Sequence, residues 1–118
     1  MHEVTVCDSL LDLAEETARK HNASCIKSIK IRVGEISGVV PELLQHAFDI
    51  CSKERTMTNR ARLIIQRVKP KALCKQCGTE FSPDDFVFIC PGCGSPDTKL
   101  LQGDELVLDK LELEVEDV

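Results

Sequence analysis

The motifs Cys74-Lys-Gln-Cys77-Gly78 and Cys90-Pro-Gly-Cys93-Gly94 stand in the 118-residue chain with twelve residues between Cys77 and Cys90. Each Cys-x-x-Cys pair favours a tight turn, and the glycine that follows lets backbone amides approach the sulfur atoms. Two such pairs place four thiolates tetrahedrally around one metal ion. We therefore predict a zinc-ribbon site in which all four cysteines bind zinc.

Other uses of this site were weighed against structural zinc. Iron is the main alternative metal, since a rubredoxin-type centre also has four thiolate ligands. Catalysis is not expected, because a closed four-thiolate shell leaves no position for water or substrate. Zinc ribbons often bind nucleic acids, but a phosphate-binding face requires an excess of basic residues. Between residues 74 and 93 the only base is Lys75, against Glu80, Asp84 and Asp85.

The cysteines lie in a segment, residues 70–103, whose composition differs from that of its flanks. This segment holds four of the five prolines and four of the seven cysteines. It separates two stretches with the alternating pattern of strands, which predicts an insertion between two strands of one sheet. We predict a zinc-binding domain at 70–103 and a second domain formed by 1–69 and 104–118.

The flanks of the insertion show the apolar spacing of two helices. The first is predicted with Asp8 or Ser9 in its first turn, and the second begins at Pro41 and runs to about Glu54. The predicted apolar face of the first consists of Val6, Leu10, Leu13, Ala14, Thr17 and Ala18. That of the second consists of Val40, Leu43, Leu44, Ala47, Phe48 and Cys51.

Three strands are predicted in the same flanks. Alternation indicates strands around Ile29–Val33 and over residues 61–68, which would be parallel if both join one sheet. Residues 104–116 alternate in two phases, so we predict a bulge near Asp109 and Lys110. The predicted fold is α+β, a small mixed three-stranded sheet with two helices and an inserted four-cysteine zinc ribbon.

Charge is distributed unevenly around a net value of −5. Residues 104–118 hold seven acids and one base, Lys110, whereas residues 56–75 hold six bases and no acid. The basic stretch is either a nucleic-acid patch or a strand beside the acidic C-terminal strand. The absence of aromatic residues for base stacking favours the second interpretation.

The expected cellular compartment follows from a search of the sequence for a secretory signal and a membrane-spanning segment. The first twenty residues lack a basic segment followed by an apolar one, and no run approaches the roughly 20 apolar residues of a membrane span. We expect a cytoplasmic protein without a membrane partner, in which seven cysteines indicate metal binding rather than disulfides. The other three, Cys7, Cys25 and Cys51, are expected to be buried as small hydrophobic residues.

The first three residues, Met1-His2-Glu3, offer a second set of metal ligands. The α-amine, the His2 amide nitrogen and the imidazole Nδ1 can enclose one ion in fused chelate rings, which Glu3 can complete. A square plane of nitrogen ligands suits Ni(II) or Cu(II). On its own this pattern is a weak signal, because a histidine at position two is usually a frayed terminal residue.

Four segments together resemble the HypA/HybF family of hydrogenase maturation factors. They are Met1-His2-Glu3, the stretch Ile31-Arg-Val-Gly-Glu-Ile-Ser-Gly-Val39, the paired Cys-x-x-Cys-Gly motifs and Gly103-Asp-Glu-Leu-Val-Leu108. The resemblance covers essentially the whole chain, with the segments in the same order.

This resemblance implies a nickel metallochaperone rather than an enzyme. It implies that residues 1–69 and 104–118 form a nickel-binding domain, in which nickel is bound through His2 with atoms of Met1 and Glu3. It also implies structural zinc at the four cysteines, and delivery of nickel to the [NiFe]-hydrogenase large subunit in partnership with the GTPase HypB. The main alternative is a nucleic-acid-binding zinc-ribbon protein that uses residues 60–75.

Overall fold

The computed structural model describes residues 3–115. Within this range the chain forms two α-helices, one short 3-10 helix and six strands. In chain order these are α1 (Glu3–Lys20), β1 (Ala23–Gly34), α2 (Pro41–Cys51), the 3-10 helix (Ser52–Glu54), β2 (Arg62–Val68), β3 (Lys71–Cys74), β4 (Glu80–Phe81), β5 (Thr98–Gln102) and β6 (Leu106–Val115).

The first sheet has the strand order β2-β1-β6. β1 and β2 are parallel, and β6 lies antiparallel on the other side of β1. A parallel pair needs a long crossover, which α2 and the 3-10 helix provide here. The predicted mixed three-stranded sheet with two helices is therefore confirmed.

The core lies between this sheet and the helices. Ile29, Ile31 and Val33 of β1 are at most 1% exposed and pack in one cluster with residues of both helices. Alternate residues of a strand lie on one face, so β1 presents a continuous aliphatic row to α1 and α2.

The predicted helical faces were partly wrong. α1 begins at Glu3 rather than near Asp8, and its buried stripe is Cys7, Leu11, Ala14 and Ala18. Leu13, which the sequence placed on the apolar face, is 46% exposed. In α2, Leu44, Ala47 and Phe48 are buried as predicted, but Leu43 and Val40, the residue before the helix, are exposed. Each helix has more apolar residues than one of its faces can bury, and their spacing alone did not identify which ones are buried.

The bulge predicted in the last strand is confirmed. Lys30 is paired with Lys110 and the next residue, Ile31, with Leu108, so Asp109 is the extra residue of β6. This insertion reverses the phase of the strand and keeps Leu108 and Leu111 on the same face of the sheet.

The charged strands are not neighbours, contrary to the sequence interpretation. β1 separates the basic β2 from the acidic β6, because the crossover places β2 on one side and leaves the other for β6. Asp109 instead lies 3.9 Å from the charged nitrogens of Lys30 and Arg32 on β1. Arg67 of β2 pairs with Glu42 of α2.

The second sheet, with order β4-β3-β5, lies wholly within residues 70–103. Its strands are antiparallel and connect β2 to β6 along the chain. The chain leaves and re-enters the first sheet beside Gly34, whose ideal Cβ would lie 2.0 Å from the carbonyl oxygen of Gly103. The insertion is thus present, whereas the division into a nickel-binding and a zinc-binding domain stays a prediction.

Candidate metal centre

Two similar turns position the four cysteines. Cys74 ends β3 and Cys90 begins the second turn, and each carbonyl accepts a hydrogen bond from the glycine N–H four residues later, at 2.9 Å and 2.8 Å. These glycines, Gly78 and Gly94, have φ values of 77° and 76°. Such positive values favour glycine and explain its place after each pair.

The turns bring all four sulfur atoms within 4.8 Å of one another. The Sγ atoms of Cys74 and Cys93 lie 3.5 Å apart, and those of Cys77 and Cys90 lie 3.6 Å apart. A tetrahedral zinc–thiolate site with bonds of about 2.3 Å has sulfur–sulfur edges of about 3.8 Å. The predicted zinc ligands therefore converge with a spacing that fits one tetrahedral ion.

Burial and hydrogen bonding differ between the sulfur atoms. Cys74 and Cys90 are 1% exposed, whereas Cys77 and Cys93 are exposed. The hydroxyl and backbone N–H of Thr79 stabilise the thiolate of Cys77, with help from neighbouring thiols, and lower its pKa to about 6. For Cys93 the backbone N–H of Ser95 favours the thiolate, but hydrogen bonds shared with the other thiols raise the pKa to about 12.

The four adjacent thiols share their protons and therefore titrate together. A divalent cation would allow all four thiols to lose their protons, since its charge offsets the mutual repulsion of the thiolates. The donor set thus fits a metal ion better than it fits four neutral thiols.

Sequence reasoning missed Thr79 and Ser95. Their carbonyl oxygens accept hydrogen bonds from the N–H groups of Cys74 and Cys90, at 2.9 Å and 3.0 Å. These bonds close both turns. Because they use backbone groups, residue type gave no signal for them; only the Thr79 hydroxyl, 3.1 Å from the Cys77 sulfur, depends on its side chain.

Of the predicted nickel ligands, Met1 and His2 lie outside the described residues. Glu3 is half-buried and is the first residue of α1. The nickel site therefore stays a prediction. His21 and His46 are exposed.

The three remaining cysteines lie outside the four-cysteine cluster. Cys7 is 1% exposed, and its burial, with the nearby Cys51 and Asp8, raises the pKa of its thiol to about 12. The predicted burial of Cys7 is confirmed. Cys25 and Cys51 are only half-buried, and the Cys25 thiol donates a hydrogen bond to Glu114 at 3.1 Å.

Within residues 3–115 the four cysteines are the one group of three or more His, Cys, Asp or Glu residues placed to bind a metal. In the same range no helix is long and apolar enough to cross a membrane.

The fold and the site define a class, that of small α+β proteins with an inserted four-cysteine metal module. Comparison with known proteins identifies the family. Residues 1–113 match the profile of the family described as "Hydrogenase/urease nickel incorporation, metallochaperone, hypA". The chain therefore belongs to the HypA family.

Individual relatives agree with this assignment. The chain is 40% identical to the hydrogenase maturation factor HypA of Aquifex aeolicus, covering 98% of this chain and 100% of the relative. It is 43% identical to that of Deinococcus radiodurans, covering 92% and 89%. The solution structure of the Ni metallochaperone HypA from Helicobacter pylori superposes with a TM-score of 0.72 at 33% identity, covering 98% of this chain and all of that one.

Proposed function

We propose that this member of the HypA family is a nickel metallochaperone for [NiFe]-hydrogenase maturation, and that Met1, His2 and Glu3 bind the Ni(II) that it carries. The family match over residues 1–113 is the observation that carries this proposal. The chemistry of the first three residues supports it, because an amine, an amide nitrogen and an imidazole offer nickel a planar nitrogen set.

The start of α1 suits a site that must release its ion. Glu3 belongs to the helix, and α1 is anchored in the core by Leu11, Ala14 and Ala18. An N-terminal chelate at the end of this anchored element would let ligands of a recipient replace the nitrogen ligands one at a time. Binding displaces protons from the amine, the amide and the imidazole, so nickel affinity is expected to fall at acid pH.

We propose zinc as the resident ion of the four-cysteine site. The sulfur spacing fits its tetrahedral bonds, and zinc needs no change of oxidation state to serve a structural role. When bound, the ion would supply folding free energy to residues 70–103. Metal analysis of the purified protein distinguishes zinc from iron, the alternative tetrathiolate metal.

The protein is proposed to carry metal without catalysing a reaction. A closed tetrathiolate shell has no open position for a substrate. The nucleic-acid alternative is less well supported, because family membership indicates a metallochaperone and because part of the basic stretch is already paired. Arg67 interacts with Glu42, and Lys75 Nζ lies 3.9 Å from Asp97 Oδ1.

The partners and the compartment follow from the same proposal. We expect the protein to receive or deliver nickel with the GTPase HypB and to act on the hydrogenase large subunit in the cytoplasm. Affinity cannot select nickel over copper at a nitrogen site, since Cu(II) binds such ligands more tightly. Recognition of the partners must therefore provide the selectivity.

The decisive experiment is calorimetric titration of Ni(II) into the zinc-loaded protein with an untagged N-terminus. His2→Ala should abolish nickel binding and leave the zinc content unchanged. His21→Ala is the matched control, because it removes an exposed histidine beyond the end of α1 and should bind nickel normally. Equal nickel affinity in His2→Ala and wild type would refute the proposed ligand set.

A further inference from the structure

β6 forms one edge of the first sheet. It pairs with β1 on one side, and among residues 3–115 no strand pairs with its other side. The unpaired backbone N–H and C=O groups of an edge strand can bond an additional strand. An extended segment of another protein can therefore lengthen the sheet at β6.

The two halves of β6 differ in how well this edge is protected. Proteins protect sheet edges with bulges and with lysines. Here the bulge at Asp109 is followed directly by Lys110, so both devices lie in the middle of the strand. Residues 111–115 lie beyond them and alternate without interruption, Leu-Glu-Leu-Glu-Val. This second half is the accessible part of the edge.

On the helix side of the sheet, the second half of β6 borders a groove. Leu111 and Leu113 pair with Ile29 and Ile26 of β1, which are 1% exposed and belong to the core, so all four share the inner face. Both leucines nevertheless stay half-buried. A cavity of about 590 Å³ separates them from the end of α1. Its lining also includes Thr17, His21, Leu108 and Val115.

The alternate side chains of the same half are acidic. Glu112 and Glu114 are exposed and lie on the face opposite the groove. They belong to residues 104–118, which hold seven acids and one base. An acidic strand on this edge would meet like charges, whereas lysine or arginine would be attracted. Charge therefore selects a basic segment and rejects an acidic one.

We propose that residues 111–115 bind a partner protein by strand addition, and that the added segment is extended, with apolar residues alternating with lysine or arginine. Its apolar side chains face the groove beside Leu111, Leu113 and Val115. Its basic side chains lie on the other face, beside Glu112 and Glu114. Backbone hydrogen bonds provide affinity, and the two rows of side chains provide specificity.

Strand addition accounts for both features of this edge. A helix laid in the groove would cover the leucines but leave the edge N–H and C=O groups to water. A strand pairs with those groups and covers the leucines at the same time. The proposal does not involve nickel, so it can be tested separately from the proposed function.

Peptide binding to the zinc-loaded chain, without nickel and under reducing conditions, tests the proposal. The probe is the fluorescein-labelled peptide Lys-Val-Lys-Val-Lys-Val-Lys, whose Kd is measured by anisotropy. Lys-Lys-Val-Val-Val-Lys-Lys keeps the composition without the alternation, and Glu-Val-Glu-Val-Glu-Val-Glu keeps the alternation with the opposite charge. The alternating basic peptide should bind about tenfold or more tightly than either control, since several cross-strand pairs differ.

Substitutions at Glu112 test the acidic face. Glu112→Lys should weaken binding of the alternating basic peptide about fivefold or more, because attraction becomes repulsion. Glu112→Gln should have a smaller effect in the same direction. Asp49→Lys is the matched control, since it makes the same charge change at an exposed position of α2 that does not line the cavity. It should bind as wild type does. Circular dichroism verifies that each variant is folded.

Amide exchange distinguishes strand addition from contact through side chains alone. With the peptide bound, those N–H groups of residues 111–115 that do not bond to β1 should exchange more slowly. Three results would overturn the proposal: equal affinity for the alternating and the rearranged basic peptides, equal affinity of Glu112→Lys and Asp49→Lys for the probe, or binding that leaves the exchange of β6 unchanged. The last result would mean that the peptide occupies the groove without pairing with the edge.

Discussion

Arg55 connects the 3-10 helix to α1 through three carboxylates. Its guanidinium lies 2.7 Å from Asp12, 3.6 Å from Asp8 and 3.6 Å from Glu15. The Arg55 side chain is only 23% exposed, and the hydrogen bond with Asp12 raises the pKa of Arg55. We expect Arg55→Met, which keeps most of the aliphatic part of the side chain, to destabilise the first sheet and its helices.

Two contributions set the size of this loss. A hydrogen bond to a charged group contributes about 1.5–3 kcal/mol, but Asp12 is 73% exposed, and solvent screening reduces the pair to about 1 kcal/mol or less. Removing the cation also leaves Asp8 and Asp12 as a like-charge pair one helical turn apart, which costs about 0.2–0.5 kcal/mol. The expected total is a loss of about 1–1.5 kcal/mol in the free energy of unfolding.

Urea denaturation of the zinc-loaded protein, followed by helical circular dichroism, measures this loss. It should shrink at high salt, because the contacts are partly exposed. Lys53→Met is the control on the same 3-10 helix and should change stability by less than about 0.5 kcal/mol. The reasoning fails if Arg55→Met is no less stable than Lys53→Met, or if its loss is the same at low and high salt.

Three further changes test other parts of the structure. Cys74→Ser should abolish zinc binding and the NMR dispersion of residues 70–103 while α1 and α2 persist; a retained metal content would contradict this. Gly34→Ala should cost several-fold more stability than Gly92→Ala, since its Cβ would lie 2.0 Å from a backbone oxygen against 3.7 Å at Gly92; equal melting temperatures would contradict it. A hydrogen bond from Arg67 lowers the pKa of Glu42. This pair therefore stabilises the fold at pH values above the pKa of Glu42 in the unfolded chain, and the stabilisation is lost as pH falls through the pKa of Glu42 in the folded chain. In an NMR titration Arg67→Ala should raise the pKa of Glu42, and an unchanged value would exclude the pair.

The parts of the fold that were predictable from sequence depend on short-range spacing. Two Cys-x-x-Cys-Gly motifs form similar turns wherever they occur, so convergence of four sulfur atoms could be expected without knowledge of the fold. The bulge was also predictable, because a strand can change phase only by inserting a residue. Both inferences use neighbours along the chain and no tertiary information.

Strand order and helix orientation could not be read from the same data. The charge of β2 and β6 suggested adjacency, but β1 carries Lys30 and Arg32 and occupies the central place. Likewise, the apolar residues of α1 point in two directions, one toward the core and one, with Leu10 and Leu13, toward a cavity beside Leu106 of β6. Only packing decides that Leu11 is buried while Leu13 is 46% exposed.

The small core of the insertion explains why a bound metal should matter locally. Residues 70–103 bury few apolar side chains, namely Ala72, Pro83 and the sulfur-bearing Cys74 and Cys90, whereas the main hydrophobic cluster lies outside this segment. A unit of fewer than roughly 40 residues with so small a core usually needs additional cross-links to fold, and the four cysteines can supply them by binding one metal ion.

The first sheet does not share that dependence. The N–H of Glu35 donates to the Val68 carbonyl at 2.9 Å, and the N–H of Ile36 donates to the Gly103 carbonyl at 2.8 Å. The loop after β1 is therefore bonded both to Val68, just before the insertion, and to Gly103, at the end of the insertion. These two hydrogen bonds join backbone groups outside the cysteine turns. Loss of the metal should therefore destabilise the second sheet, while β2 and β6 both stay paired with β1. A metal bound at the four cysteines would thus stabilise residues 70–103, and the strands that flank this segment are held by the first sheet.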